Sequence, residues 1–315
     1  MDRLALQVSP AARSAYFKNY LDVARAELHQ VLGDLEVSER RTGSLEFLEL
    51  DAVDVDLERA LQLSFVQGAW SVSGDAFRPL PNMAHFTLHD DFVFGSKYRG
   101  KTSEYLTQLL INVGLSVLGD DRRDSAKLLD PMCGRGTTLL WALRYGLNAR
   151  GIEQDKAAPG DLRAHLKKWC KLHRVKHQLK EGSLGKPRRD GSGRFVEFST
   201  AANTLKLVTG DTRQADELLG GERFDLLVSD LPYGVQHAST PGTRNPLQVV
   251  EESLPGWLLC MKGGAALVLS FNAYQPKRDQ LVTACRKAGL EPAPFKAAHR
   301  MSESILRDVV AFRKA

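Results

Sequence analysis

Lys127-Leu128-Leu129-Asp130-Pro131-Met132-Cys133-Gly134-Arg135-Gly136-Thr137-Thr138 runs from apolar residues into an acid, then through two closely spaced glycines to a threonine pair. The pattern predicts strand, sharp turn and helix, with the helix ending near Gly146. Glycine is required where backbone turns tightly and a ligand must come close. A third glycine of the dinucleotide fingerprint would fall at Leu139, whose side chain hinders close helix–strand packing. A phosphate-bearing nicotinamide cofactor is therefore disfavoured. A zwitterionic amino acid suits the stretch better, because Asp130 can meet an ammonium group while the helix start at Thr137 meets a carboxylate.

S-adenosylmethionine has such an end, and the following strands extend the match. Glu153 ends the next apolar run, seventeen residues after Gly136, where a carboxylate can accept from both ribose hydroxyls. Asp155 is the fallback should that strand end later. After the third strand, Gly210-Asp211-Thr212 offers a carboxylate to an adenine amino group. Met132, Cys133, Gly134 and Gly136 complete the wall, with Cys133 expected as a small apolar filler.

Outward from this loop, apolar runs alternate with amphipathic stretches, the mark of a parallel sheet built from βα units. Strands are expected at 127–130, 148–152, 205–209, 224–229, 265–271, 294–299 and 306–312, the last two as an antiparallel hairpin at the sheet edge. A helix over 102–118 precedes them, with Thr102 or Ser103 as N-cap. The first ninety residues read as strand 4–8, helix 12–32, strands 36–41 and 45–51, a helix near 55–65 and strand 69–73. That βαββαβ order fits a ferredoxin-like α+β unit. A linker with a short hairpin is expected around Pro79 to Gly95. The expected fold class is thus α/β, a Rossmann-like seven-stranded sheet (96–315) behind a small N-terminal α+β domain (1–95), with a basic insertion near 176–204 whose Gly-, Ser- and Arg-rich stretch 182–193 is expected to be mobile.

Phe224-Asp225-Leu226-Leu227-Val228-Ser229 is a buried-strand pattern that delivers Asp230-Leu231-Pro232-Tyr233-Gly234 to its C-terminal end, where open parallel sheets bind ligands. An exocyclic amine is a poor nucleophile while its lone pair is delocalised into the ring. The Asp230 carboxylate and the Leu231 carbonyl can each accept one of its hydrogens, localising the pair and stabilising developing positive charge. Pro232 stiffens the loop and Tyr233 can stack on an unpaired base.

The formal charge of +5 conceals an uneven distribution: from Leu162 to Arg194 eleven basic residues face two acids, a local +9 that leaves the rest at −4. Such a block suits a polyanionic partner. No run approaches the ~18 apolar residues of a membrane span. The four cysteines, Cys133, Cys170, Cys260 and Cys285, lack paired spacing. Neither disulfides nor structural zinc is expected, and a reducing cytoplasm is. His85, His89 and His237 are expected to be solvent-facing or structural, and Trp141 and Trp257 to pack in the core.

From about Tyr98 onward the chain resembles the class I S-adenosylmethionine-dependent amino-methyltransferases of the Asp/Asn/Ser-x-Pro-Tyr/Phe type, and within them the THUMP-related tRNA guanosine-N2-methyltransferases. Three stretches carry the resemblance: Gly100-Lys101-Thr102, Asp130 to Thr137, and Asp230 to Gly234. It implies that Thr102 borders the methionine end of the cofactor, that Asp130 to Thr137 wrap it, that Glu153 holds the ribose, and that Asp230 and Tyr233 handle the base. Leu231 stands where adenine-N6 enzymes commonly carry a second proline, as in the guanine-N2 subset. The N-terminal part is too short to add a full THUMP module, so the basic segment is expected to engage RNA, first of all tRNA. The alternatives are adenine-N6 methylation of DNA or ribosomal RNA, and a non-catalytic RNA-binding protein on the same fold.

Overall fold

The computed structural model describes residues 3–95, 101–186, 189–232, 245–303 and 305–315. Its N-terminal unit contains β1 (Arg3–Val8), α1 (Pro10–Tyr16), a 3-10 turn (Phe17–Asn19), α2 (Tyr20–Leu32), β2 (Ser38–Thr42), β3 (Leu45–Asp51), α3 (Leu57–Leu61), β4 (Val66–Ser73) and β5 (Ala76–Pro79). The strands form an antiparallel sheet in the order β2-β3-β1-β4-β5. The first four give the ferredoxin-like arrangement, to which β5 adds an edge. Where one helix over 12–32 was expected, two form, because Phe17 adopts a left-handed φ of 50° that ends α1. The second expected helix is cut to Leu57–Leu61, with the Asp56 side chain capping the Arg59 N–H.

The connection to the second sheet contains α4 (Asp91–Phe94) rather than a hairpin: His89-Asp90-Asp91 opens that helical turn. Then follow α5 (Glu104–Leu118), whose N-cap is Ser103, and α6 (Asp120–Arg123). The βα units are β6 (Lys127–Asp130), α7 (Thr137–Arg144), β7 (Asn148–Glu153), α8 (Ala158–Leu172), β8 (Gln178–Ser183), β9 (Arg194–Ser199), β10 (Thr204–Thr209), α9 (Ala215–Leu218) and β11 (Phe224–Asp230). The chain ends with α10 (Pro246–Cys260), β12 (Met261–Asn272), α11 (Arg278–Lys287), β13 (Leu290–Ala293), β14 (His299–Arg300) and β15 (Leu306–Lys314).

The large sheet has the order β13-β15-β12-β11-β6-β7-β10-β9-β8, with β14 paired to β15. Strands β12, β11, β6, β7 and β10 are parallel, and β15 runs against β12. The seven expected strands are therefore present, with two corrections. The sixth lies at Leu290–Ala293 rather than 294–299, and of that expected strand only His299 pairs, together with Arg300 just beyond it, at the start of β15. The basic insertion near 176–204 extends the sheet by the hairpin β8–β9, whose connection falls in the Gly-, Ser- and Arg-rich stretch, because Val196 and Phe198 alternate with polar residues and bury against the core.

One apolar cluster runs from Leu6 and Leu28 through Leu109 and Val113 of α5 to Val228 and Val268, so the core continues across residue 95. Within that seam lies a polar node. Glu27, fully buried on α2, accepts from the Ser64 N–H (2.9 Å) and from Asn112 Nδ2 of α5 (2.7 Å). Burial pushes its carboxyl from 4.5 up to about 7, against the pull of these donors. Because the folded state holds this proton where the unfolded chain has lost it, stability contributed by the protonated form falls as pH rises from about 4.5 through 7. Glu27→Gln should flatten that part of the profile by about 1–3 kcal/mol between pH 5 and 8, read from urea unfolding.

All four cysteines are buried and free, and Trp141 and Trp257 lie in the core. No helix among the described residues is long and apolar enough to cross a membrane.

Candidate active site

Of the residues singled out in the sequence, Asp130, Glu153, Asp211 and Asp230 lie at the C-terminal ends of β6, β7, β10 and β11. At the first turn, Gly134 and Gly136 take φ of 54° and 85°, conformations that strain any residue with a Cβ. Gly136 caps α7, whose first residue is the buried Thr137. The close packing that a third glycine would otherwise provide comes from the strand. A Cβ on Gly151 of β7 would lie 2.7 Å from both Cys133 Sγ and Leu139 Cδ1, so Leu139 sits on the α7 side of a glycine-made hollow. Cys133 fills space there, and burial raises its thiol well above the ordinary range.

Glu153 clasps the loop from the next strand. Its carboxylate accepts from the Gly134 N–H (2.8 Å) and the Asp155 N–H (2.9 Å), using two of about four lone-pair sites. Arg135 adds a second clasp that the sequence did not disclose, pairing with Asp155 and Asp161, each at 2.8 Å. Asp130 lies deeper, between β6 and β11, where Oδ1 accepts from Ser229 Oγ (2.9 Å) and the Met132 N–H (3.1 Å). Burial pushes its carboxyl up to about 7. Met132 itself is half-buried.

The loop after β10 separates two candidates. Asp211 accepts from the Arg213 N–H and is bound by its guanidinium, which holds the carboxyl below its usual range. Thr212 faces inward, its Oγ1 accepting from Trp257 Nε1 of α10 (2.9 Å). It is thus enclosed against α10, whereas Asp211 stays partly exposed at the strand end.

At the end of β11, Asp230 stands one strand from the glycine turn: β11 pairs directly with β6, and Ser229 bonds Asp130 across that pair. Two groups converge on Asp230 Oδ2. Thr102 Oγ1 donates at 2.9 Å, and Arg307 Nη2 of β15 lies at 3.5 Å. Thr102 is seated by its neighbour Lys101, whose ammonium binds the Val93 carbonyl and Glu104, each at 2.6 Å. The Leu231 N–H is bound to the Ser270 carbonyl (2.8 Å), which fixes the start of the loop, and Pro232 follows half-buried. Tyr233, Gly234, His237, Tyr98 and Gly100 lie outside the described residues.

Five strands in the order β12-β11-β6-β7-β10, an antiparallel β15 beside β12 and a glycine turn after β6 decide the architecture. The fold is that of the class I methyltransferases. No family model matches the chain, and no curated protein does. Among solved structures, the chain is similar to TrmN from Thermus thermophilus at 14% identity and a TM-score of 0.43, over 89% of this chain and 60% of that one. It is also similar to the 16S ribosomal RNA guanosine-N2 methyltransferase RsmC from the same organism, solved with AdoMet and guanosine, at 18% identity and a TM-score of 0.38, over 95% of this chain and 62% of that one. A third is the magnesium protoporphyrin IX methyltransferase ChlM from Synechocystis with bound SAM, at 12% identity and a TM-score of 0.41, over 72% and 89%. The chain thus spans less than two thirds of the length of TrmN and RsmC.

Among the described residues, one group could gather a cation: His89 and Asp91 at α4 and His173 after α8. The two imidazole rings are stacked at 4.1 Å with 21° between planes, so their in-plane lone pairs do not meet at one point. Asp91 Oδ2 lies 2.9 Å from His173 Nε2. The arrangement is that of a hydrogen-bonded pair holding α4 against α8. His85 is exposed.

Proposed function

We propose that this chain is an S-adenosylmethionine-dependent methyltransferase acting on an exocyclic amino group of a nucleic-acid base, with guanosine N2 in tRNA as the favoured target. The observation that carries the reading is Asp230, held by Thr102 at the end of β11 and one strand away from a glycine turn clasped by a carboxylate. The residues fit the cofactor by the chemistry of their donors and acceptors. Glu153 keeps acceptor sites beyond the two it uses, suited to two ribose hydroxyls. A Cβ on Gly134 would meet nothing within 4 Å, so the turn leaves open space for a ligand. Asp130 is suited to an ammonium group, whose charge would offset the burial that raises its carboxyl. Met132, Cys133, Gly136 and Thr137 would line the methionine end, and Asp211 the adenine.

When bound, the cofactor supplies a methyl group on a sulfonium. The chain's own part is to orient the acceptor. Asp230 Oδ1 or Oδ2 and the Leu231 carbonyl take the two amino hydrogens, so the nitrogen lone pair leaves conjugation, and the positive charge that builds there is offset by the Asp230 carboxylate. Pro232 keeps both acceptors in place, and Tyr233 stacks on the base.

The exposed cations of α8, β8 and the connection between them, among them Lys167, Lys171, Arg174, Lys176 and Lys180, are suited to RNA phosphates. Of the nearby cations, Arg163 is paired with Glu181 at 3.1 Å. Incubation with labelled cofactor and tRNA, followed by digestion to nucleosides, should place label in N2-methylguanosine. Label in N6-methyladenine from DNA or ribosomal RNA would select the adenine enzyme instead. Absence of transfer to any nucleic acid, with RNA binding retained in Asp230→Ala, would select a non-catalytic RNA-binding protein.

A further inference from the structure

We propose that Arg307 is a positioning residue for Asp230, and that the N-terminal unit seats it there. The inference rests on the reading of Asp230 as the acceptor of the amino hydrogens. Arg307 is 4% exposed, and its Nη2 lies 3.5 Å from Asp230 Oδ2, the oxygen that also takes the Thr102 hydroxyl. A guanidinium so far from water requires an anion within reach. Two donors from different elements, meeting on one carboxylate oxygen, fix the rotation of the carboxylate as well as its place. The second donor adds a constraint on that oxygen which the Thr102 hydroxyl does not supply, and a small misplacement of a reacting group is costly in rate.

The start of the strand that carries Arg307 is packed in turn. Arg307 lies opposite His299 in the β14–β15 pairing. His299, 1% exposed, receives the ring of Tyr16 edge-on, with centroids 5.2 Å apart and planes at 82°. Tyr16 ends α1 and is fully buried, its hydroxyl 3.0 Å from Ser64 Oγ in the polar node that contains Glu27. The hairpin that brings Arg307 to Asp230 is thereby wedged by the first helix of the ferredoxin-like unit.

Arg307→Gln removes the charge, and Arg307→Met serves where glutamine does not fold. Arg307→Lys is the conservative rescue. In methyl transfer, the neutral variant should lower kcat about 10- to 100-fold while the KM for RNA and the affinity for S-adenosylhomocysteine stay within about threefold. Arg307→Lys should recover most of kcat. In an Asp230→Asn background the neutral variant should cost nothing further, because the residue acts through the carboxylate. A crystal structure of the neutral variant, which needs no activity, should show the Asp230 carboxylate rotated and its bond to Thr102 lost. If the carboxylate keeps its rotamer and its 2.9 Å contact with Thr102, the proposal fails. It fails equally if kcat is unchanged, or if the two substitutions add in full. A wild-type chain that transfers no methyl group overturns the functional reading, and the crystal structure alone then decides the role of Arg307.

Discussion

Asp230→Ala should reduce methyl transfer by about 10²- to 10³-fold, while S-adenosylmethionine binds within about threefold of wild type. The size follows from what the carboxylate is asked to do. In the proposed reaction it takes a hydrogen of a conjugated amine and faces the positive charge that develops on nitrogen, and loss of one preorganised electrostatic group in such a site costs about 3–4 kcal/mol in the transition state. The binding term is spared because Asp230 lies at the end of β11, beside rather than within the turn that Glu153 clasps. Asp230→Asn, which keeps one oxygen acceptor without the charge, should fall between. Single-turnover kinetics at saturating cofactor, together with calorimetric titration, separate the two effects.

Glu153→Ala should weaken cofactor binding on the order of 100-fold and leave kcat at saturation within a few-fold. Two hydrogen bonds from ribose hydroxyls to a carboxylate are lost at about 1.5–3 kcal/mol each, partly repaid by water. The Gly134 N–H also loses its partner, so the glycine turn is less well ordered before the ligand arrives. Glu153→Gln keeps one acceptor and should cost about tenfold. A KM for cofactor that does not move would remove Glu153 from the site.

The parts of this molecule that were legible in the sequence are those written locally. The turn at Gly134 and Gly136, the acid that ends β7 and the Asp230 loop each follow an apolar run and precede a helix or a break, so chain order alone sets them at the C-terminal ends of parallel strands. The β8–β9 hairpin was obscured because Gly, Ser and Arg dominate its turn, while the alternation of Val196 and Phe198 is only two residues long. The break at Phe17 carries no local signal, since no glycine or asparagine marks its positive φ.

Arg307 was missed for a different reason. In Leu306-Arg307-Asp308-Val309, two adjacent charges open the expected strand 306–312, and nothing local names their partners. Both are buried, and each meets a partner far away in sequence: Asp308 bonds Arg278 at 2.8 Å, and Arg307 reaches Asp230. A charged pair inside an otherwise apolar strand was the available signal, because alternation sends one to each face and a buried charge on either face requires a partner.

The account turns on a donor seated between Glu153 and Asp230, and a crystal structure of the chain with S-adenosylhomocysteine examines that most directly. The ribose hydroxyls should bond Glu153, the amino acid end should lie along Asp130 to Thr137, and the sulfur should face the Asp230 carboxylate. A ligand bound elsewhere, or with its sulfur turned away from Asp230 and toward α10, would contradict it.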